Sequence, residues 1–203
     1  MEQHTASLFT IGHSTHPIGV FLSLLTRHGI SAVCDVRSSP YSRMNPQFDR
    51  ESLKASLRQA GIAYVFLGKE LGARSNDPSC YESGKVQYER LAKTPAFQDG
   101  LQRIRDGLKT FRVALMCAEK DPLECHRTIL IARHLSSQGL EVQHILSNGE
   151  LEPHQAAMTR LLRTLKLSED DMFKSRSDVL DDAYRLQAER IAYVDENLSG
   201  DVR

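Results

Sequence analysis

Short apolar runs alternate with longer amphipathic stretches along the first 150 residues. Apolar runs bounded by Gly, Pro or polar residues are typical of buried strands, and apolar positions three or four residues apart are typical of helices. The predicted strands are residues 8–12, 31–36, 62–68, 111–118 and 141–146, and the predicted helices between them are residues 17–29, 48–61 and 86–109. This alternation predicts an α/β fold in three layers. We expect a mostly parallel five-stranded sheet with helices on both faces and a C-terminal helical extension.

Proline and glycine mark the ends of several predicted helices. Pro17 opens the first helix and Gly29 ends it, while Asp49 is the predicted N-cap of the second helix. Pro95 divides the third helix into two pieces, because proline disrupts the helical turn that precedes it. Residues 69–85 are rich in Gly, Ser, Asn and Asp and are predicted to form a polar loop.

The pattern changes after Pro153, where two helical stretches follow each other. Ser175 with Asp178 three residues on resembles a capping box and predicts the start of the second stretch. A partial apolar stripe on this helix comprises Val179, Leu180, Ala183, Ile191 and Val194. The sequence leaves open whether the stripe packs on the sheet or on a partner chain. We predict that residues 1–150 form an α/β domain and residues 151–203 a helical extension of the same domain.

The charge balance and the cysteine content narrow the classes of protein. Lys plus Arg and Asp plus Glu each total 26, so the formal net charge is zero, which argues against a broad nucleic-acid surface but does not exclude a local basic pocket. No apolar run approaches the roughly 18 residues of a membrane span, and the N-terminus lacks a signal-peptide pattern. Four cysteines in 203 residues favour reduced thiols. We predict a cytoplasmic protein without membrane contact; its oligomeric state stays open.

Reactive and basic residues concentrate directly after the predicted strands. The five segments that follow the predicted strands are GHST (12–15), DVRSSPYSR (35–43), GKELGAR (68–74), CAEKDPLECHR (117–127) and SNGELEPH (147–154). Ligands of open parallel sheets bind beyond the carboxyl ends of the strands. The sequence therefore predicts one composite site at that edge, and its expected lining includes His13, Arg37, Arg43, Glu119 and Arg127.

The segment after the fourth predicted strand permits a purely structural interpretation. Asp121 would cap a helix whose first residue is Pro122, and Glu124 would complete a capping box. Cys125 would then be a small buried residue on the second turn of that helix.

The same segment permits a chemical interpretation. A thiol near a helix N-terminus and beside an arginine has a lowered pKa, which makes Cys125 a candidate nucleophile. Its spacing to Arg127 is not the Cys-x5-Arg of a phosphatase loop. His126 and Arg127 enter an otherwise apolar helix, and buried charge needs a partner, for which we expect Glu119, Asp35 or an external anion.

Two further uses of the cysteines stay open. Cys117, Cys125, His126 and His13 would offer ligands to a metal ion, but their spacing differs from the short Cys-x2-Cys of common zinc sites. A regulatory disulfide between Cys117 and Cys125 is the other alternative. The spacing predicts that the four cysteines do not form a closed tetrahedral zinc site, and no metal ligand is assigned.

The segment DVRSSPYSRMNPQF predicts an anion cradle. Arg37 and Arg43 suit bidentate binding of carboxylate or phosphate, two serine hydroxyls add donors, and two prolines stiffen the loop. The alternative is an exposed loop with solvated arginines. In the segment after the third predicted strand, Gly72 permits close approach of the backbone to a ligand, and Arg74 adds another cation.

Motifs along nearly the whole chain resemble one known family. TIGHST, DVRSSPYSRMNPQF, LGKELGAR, CAEKDPLECHR and NGELEPH occur in this order, and they look like the successive motifs of the bacterial and archaeal family named domain of unknown function 488. The terminal DMFKSRSDVLDDAYRLQAERIAYV is similar to the tail of many members. Lys69 and Glu70 are a departure, because many relatives read closer to LGGR there.

The resemblance implies an α/β fold and a bacterial-type cytoplasmic protein, but it implies no reaction. Its motifs mark His13, Ser14, Asp35, Arg37, Pro40, Ser42, Arg43, Cys117, Glu119, Pro122, Cys125, His126 and Arg127.

The leading functional expectation is an enzyme that acts on a small anionic substrate, phosphorylated or nucleotide-like. His13 or His126 would transfer protons, because histidine titrates near neutrality, and Asp35 or Glu119 would orient that histidine. The expected catalytic residues are His13, Asp35, Glu119, Cys125 and His126. The expected substrate-binding residues are Ser14, Arg37, Ser42, Arg43, Gly72, Arg74, Cys117 and Arg127. Any cofactor is unknown. The alternative is a non-catalytic module that binds or senses a nucleotide or a nucleic-acid end.

Overall fold

A computed structural model describes residues 7–168 and 174–198. Its main sheet contains β1 (Leu8–Gly12), β2 (Ala32–Asp35), β3 (Ala63–Phe66), β6 (Val113–Cys117), β7 (Val142–Ile145) and β8 (Leu151–Pro153). The strand order is β3-β2-β6-β1-β7-β8. The first five strands of this order are parallel, and β8 pairs antiparallel with β7.

The predicted α/β architecture is confirmed, with six strands instead of five. All five predicted strands are present, and β8 is the addition. It is only three residues long and passes directly into a helix, so its sequence is too short for a recognisable strand pattern. Pro153 is tolerated there because β8 lies at the edge of the sheet, where no further strand needs its missing N–H.

The helices complete three layers. Their bounds are α1 (Ile18–Arg27), α2 (Arg50–Gln59), α3 (Gly68–Leu71), α4 (Tyr88–Leu91), α5 (Pro95–Leu108), α6 (Arg133–Ser137), α7 (His154–Leu165) and α8 (Arg176–Ile191). A π-helix (Arg127–Ala132) leads into α6, and 3-10 turns cover Pro46–Phe48, Pro78–Cys80 and Pro122–Glu124. Helices α1 and α2 share one apolar core with Phe9 and Met116 of the sheet, whereas α5, α7 and α8 share the other with Leu115.

Buried strands position the candidate site. Every residue of β1, β2 and β6 is buried, as expected for parallel strands covered on both faces. Their carboxyl ends are adjacent, because β1 pairs with β6 and β6 pairs with β2 in parallel register. The three loops that leave these strands therefore start side by side on a rigid frame.

The predicted polar loop over residues 69–85 is wrong in part. This segment contains most of α3, a 3-10 turn and a small hairpin of β4 (Tyr81–Glu82) and β5 (Lys85–Val86). Leu71, Cys80 and Tyr81 are buried in the main core. Such isolated apolar residues fix the segment by tertiary packing, which leaves no periodic signal in the sequence.

The C-terminal helices pack on the chain itself. The capping box of Ser175 and Asp178 is confirmed at the start of α8. Val179 and Ala183 of the predicted stripe are buried, but Val194 is 44% exposed. The amide of Gln187 donates to the backbone oxygen of Leu123 at 3.0 Å, which joins α8 to the loop after β6. The division at residue 150 stays a prediction, and no described helix is long and apolar enough to cross a membrane.

Candidate functional site

A cavity of about 610 Å³ lies at the carboxyl ends of the central strands. The loops after β1, β2 and β6 form most of its wall. Nine of the expected site residues line it, namely His13, Ser14, Arg37, Ser42, Arg74, Cys117, Glu119, Cys125 and His126. Asp35, Arg43, Gly72 and Arg127 do not line it. Ser14 has a positive φ of 49°, and such sparsely populated backbone conformations are enriched at functional sites.

Arg37, which lines the cavity, forms a buried ion pair with Asp35 behind it. The Nε of Arg37 donates to Oδ1 of Asp35 at 2.9 Å, and its Nη2 donates to Oδ2 at 2.7 Å. Tyr64 donates to the same Oδ2 at 2.9 Å. Arg37 is thereby largely neutralised, and Asp35 contacts the arginine rather than a histidine. The expectation that Asp35 orients His13 or His126 is therefore not what the geometry provides.

His13 has both ring nitrogens engaged. Its Nδ1 lies 2.8 Å from the backbone oxygen of Ser14, and its Nε2 lies 3.2 Å from Nη1 of Arg37. The ring stacks on Phe48 with 4.3 Å between centroids. Burial, with a smaller contribution from the nearby charge of Arg37, lowers the pKa of His13 to about 4. His13 is a neutral, fixed ring near neutral pH.

The predicted helix after Asp121 is interrupted, and the predicted capping box is wrong. Asp121 does cap a turn, because its Oδ1 accepts from the backbone N–H of Leu123 at 2.9 Å, but this turn is a three-residue 3-10 helix. The side chain of Glu124 accepts from Gln187 at 3.2 Å instead of returning to the backbone of Asp121. Cys125 is then extended, with φ −143° and ψ 139°.

This interruption places Cys125 at the start of the next helix rather than on a second turn. Its backbone oxygen accepts from the N–H groups of Thr128 and Ile129 at 3.1 Å each. The backbone N–H of Arg127 points at its sulfur, 3.5 Å away. The helix then opens with π-helical geometry, a feature frequent at functional sites.

Three donor atoms converge on the floor of the cavity, and we call Cys117, Cys125 and His126 the thiol cluster. The Nδ1 of His126 lies 3.8 Å from each sulfur. Its Nε2 lies 3.1 Å from the backbone oxygen of Val36. Beside the cluster, the Cys125 thiol donates to Oε2 of Glu119 at 2.9 Å.

The cluster and Glu119 have displaced ionisation. The hydrogen bond between the two thiols, followed by burial, raises the pKa of Cys117. For Cys125, burial opposes ionisation, but the hydrogen bond from Cys117 and the charges of Arg127 and His126 lower its pKa below the usual range. Burial, followed by the negative charge of Cys125, raises the pKa of Glu119. Such displaced values in a cleft are typical of chemically active sites.

Arg127 is fully buried and binds the loop after β6 rather than lining the cavity. Its Nη1 donates to the backbone oxygen of Glu119 at 2.8 Å, and its Nη2 reaches that of Lys120 at 3.4 Å. Its expected partners were the carboxylates of Asp35 or Glu119, or an anion. Backbone carbonyls accept from its two terminal nitrogens instead, because the loop after β6 folds over the guanidinium, whereas its buried Nε has no hydrogen-bond partner among the described residues.

Close packing holds this loop against β1. A Cβ atom at Gly12 would lie 1.9 Å from the backbone oxygen of Glu119 and 3.2 Å from Nη2 of Arg127. Only glycine leaves room for this contact. The backbone that carries Glu119 is therefore fixed from two sides.

The rim of the cavity carries an exposed cation. The guanidinium of Arg74 stacks on the ring of Tyr193 at 4.4 Å. Arg74 is absent from the ion pairs of the described residues. Its backbone N–H donates to Oγ of Ser38 at 3.0 Å. The protein itself fills the space beside Gly72, because a Cβ atom at this position would lie 2.4 Å from Oγ of Ser38.

The comparison with known families gives one result. Residues 17–134 match the family model described as domain of unknown function DUF488, which spans more than half of the chain. The chain belongs to this family. No curated protein and no solved structure matches it. Membership in DUF488 confirms the resemblance, and it assigns no reaction.

Some lining residues lie outside the DUF488 match and were not expected from the sequence. Ile191 and Tyr193 reach the cavity from the end of α8, far along the chain from the matched segment. Tyr88 of α4 also lines the cavity and was not expected from the sequence, although it lies inside the match. The motif containing Ser38 and Ser39 was visible in the sequence, but no signal links the tail to the strand exits.

Proposed function

We propose that this DUF488 protein is an enzyme that acts on a small anionic substrate, phosphorylated or nucleotide-like, in the cavity at the strand carboxyl ends. One observation carries the proposal. The cavity is lined by Arg74, whose guanidinium is exposed, and by the adjacent thiol of Cys125 and carboxyl of Glu119. A binding group and reactive groups thus line the same cavity.

The upper part of the cavity suits an anion. Arg74 has no carboxylate partner among the described residues, so its charge is available to a ligand. Ser39 and Ser42 line the wall nearby and supply hydroxyl donors. Arg37 contributes less charge, because Asp35 already neutralises it.

The lower part suits chemistry rather than recognition alone. A volume of about 610 Å³ falls within the range of small-molecule sites. The buried thiol of Cys125 donates to the carboxyl of Glu119, an exposed residue that lines the cavity, and burying a thiol beside an ionisable group costs desolvation free energy that anion recognition alone does not require. Both groups exchange protons, and both face the cavity.

Anion binding is tested by thermal unfolding at low ionic strength with phosphate, pyrophosphate and nucleotides. Because a ligand that binds the folded state raises the unfolding temperature, we expect stabilisation of the wild type. Arg74→Met should lower the affinity for the stabilising anion by roughly tenfold, as expected for loss of a charge-assisted hydrogen bond. Arg43→Met is the matched control, because Arg43 is exposed and does not line the cavity. A wild type that ignores all these anions at millimolar concentration contradicts the proposal.

One observation favours a binding or sensor module as the second candidate. His13, an expected proton-transfer residue, has both ring nitrogens engaged by the protein. Glu119→Gln discriminates between the two functions, because it keeps the shape of the side chain and removes its ionisation. An enzyme variant of this kind keeps anion affinity and loses turnover of the stabilising compounds. A wild type that binds these compounds and converts none of them supports the sensor.

A further inference from the structure

We propose that the thiol cluster binds one thiophilic divalent cation, with Zn²⁺ as the committed ion, and that the fourth coordination position faces the cavity. This site shares Cys125 with the reactive groups of the proposed enzyme, but it is defined and measured without a substrate, so its test does not depend on the proposed function.

The spacing of the three donor atoms fits a single ion. Nδ1 of His126 lies 3.8 Å from Sγ of Cys117 and 3.8 Å from Sγ of Cys125, and all three atoms lie within 4.8 Å of one another. Tetrahedral zinc with Zn–S bonds of about 2.3 Å and Zn–N bonds of about 2.0 Å separates its ligand atoms by roughly 3.6–3.8 Å. The cluster reaches this spacing with small side-chain movements.

The orientation of His126 is the one that a metal ligand needs. Its Nε2 lies 3.1 Å from the backbone oxygen of Val36, which only accepts hydrogen bonds, so Nε2 carries a hydrogen. This contact directs Nδ1 at the two sulfurs. A ligating histidine that donates its other N–H to a backbone carbonyl is the usual arrangement around protein-bound metals. The Nδ1 contacts among the described residues are the two sulfurs, at 3.8 Å each.

The backbone around the cluster is rigid and suits two thiolates. Cys117 ends β6, whereas Cys125 and His126 stand where the extended chain turns into a helix. The backbone N–H of Arg127 points at the sulfur of Cys125, which stabilises negative charge there. The ligands thus come from two elements held together by the bonds of Arg127 to the connecting loop.

The ligand set selects the class of ion. Two sulfurs and one imidazole nitrogen favour zinc and similar soft ions over Mg²⁺ and Ca²⁺, which prefer oxygen. Three protein ligands leave one position open, as in catalytic rather than structural zinc sites. Glu119 lies next to that position, with Oε2 2.9 Å from Sγ of Cys125.

The test is a zinc titration of reduced, chelator-treated full-length protein in competition with a chromophoric chelator. We expect one equivalent of Zn²⁺ bound with submicromolar affinity. Cobalt(II) in place of zinc should give the intense near-ultraviolet sulfur-to-cobalt absorption of thiolate ligation, and this readout uses the wild type alone. Neither measurement requires turnover, so failure of the enzyme proposal leaves both results standing.

Variants locate the ion. Cys117→Ser, Cys125→Ser and His126→Gln should each weaken zinc binding by at least roughly 100-fold, more than loss of an outer-shell partner, while circular dichroism reports retained folding. Cys80→Ser is the matched control, because Cys80 is also buried but lies outside the cluster. A reduced wild type that binds no zinc at micromolar concentration overturns the proposal. Equal losses in Cys80→Ser and Cys125→Ser also overturn it.

Discussion

Two buried polar clusters on the same sheet differ in how their polar atoms are satisfied. We call Thr10, His144, His154 and Tyr184 the histidine chain. Thr10 Oγ1 lies 2.8 Å from His144 Nδ1, His144 Nε2 lies 3.1 Å from His154 Nδ1, and His154 Nε2 lies 2.8 Å from the Tyr184 hydroxyl. One direction of donation satisfies every ring nitrogen with both histidines neutral. In the thiol cluster, by contrast, Nδ1 of His126 has only long contacts to sulfur.

The difference separates a structural network from a site. The histidine chain joins β1, β7, α7 and α8 through short bonds and does not line the large cavity at the strand ends. A fully satisfied buried network makes the fold rigid and unique. The thiol cluster aims three donor atoms at one another beside an open cavity. We infer that a bound ion completes this geometry, whereas the histidine chain needs no external partner.

The largest expected effect is stabilisation by zinc. Zn²⁺ at about 1,000 times its dissociation constant should raise the free energy of unfolding by about 4 kcal/mol, by mass action. Urea unfolding with excess zinc or with chelator, in a non-thiol reductant, measures the increment. His154→Phe should keep this increment and His126→Gln should lose it. Zinc that leaves the unfolding midpoint of the wild type unchanged contradicts the assignment of roles.

The histidine chain should make stability depend on pH. Burial lowers the pKa of His154 from 6.5 to about 4, so the unfolded chain binds more protons between these values. The free energy of unfolding therefore falls as the pH is lowered from 6.5 to 4, by up to about 3 kcal/mol for this residue. His154→Phe should show a correspondingly smaller loss in chelator-containing buffers. If the free energies of unfolding of the wild type and of His154→Phe depend on pH in the same way, the histidine chain does not hold a neutral His154.

Gly12→Ala should couple stability to the thiol cluster. The new Cβ would meet the backbone oxygen of Glu119 at 1.9 Å, and overpacking of this kind costs about 1–3 kcal/mol. Because the displaced loop connects Cys117 with Cys125, zinc affinity should fall as well. Gly19→Ala is the control: a Cβ there meets nothing within 4 Å, and helix propensity favours alanine by up to about 1 kcal/mol. Wild-type stability in Gly12→Ala contradicts the packing argument.

The smallest expected effect is that of a single hydroxyl. Tyr184→Phe removes the partner of His154 Nε2 and should lower the free energy of unfolding by about 1 kcal/mol, the cost of an unsatisfied buried group. Zinc affinity should stay at the wild-type value. Tyr41→Phe, at a position 64% exposed, should change neither quantity. A Tyr184→Phe protein with altered zinc binding would show that the two clusters are not separate.

The sequence predicts the fold and the edge of the sheet that carries the site, because continuous apolar strands and reactive strand exits are local patterns. His13, Arg37, Cys117 and Glu119 follow strands and indeed line one cavity. The contribution of the C-terminal segment to the cavity was not predicted. Tyr193 reaches the cavity only because α8 packs across the loop after β6, and no short-range pattern encodes that contact.

Sequence patterns also lead to wrong predictions where a regular helix is interrupted. The sequence from Asp121 onward has the composition of one capped helix, whereas the structure inserts an extended residue at Cys125. This break turns the sulfur of Cys125 toward Glu119 and His126. Arg127 shows the same limit, because its partners are backbone oxygens of a loop whose path depends on the contact with Gly12.

The most direct test of the central claim is anomalous diffraction, above the zinc absorption edge, from crystals of the reduced, zinc-loaded protein. The account predicts one peak about 2.3 Å from the sulfurs of Cys117 and Cys125 and about 2.0 Å from Nδ1 of His126. The fourth position of that ion should open into the cavity beside Glu119. A thiol cluster without an anomalous peak, in protein that binds zinc elsewhere, would contradict the account.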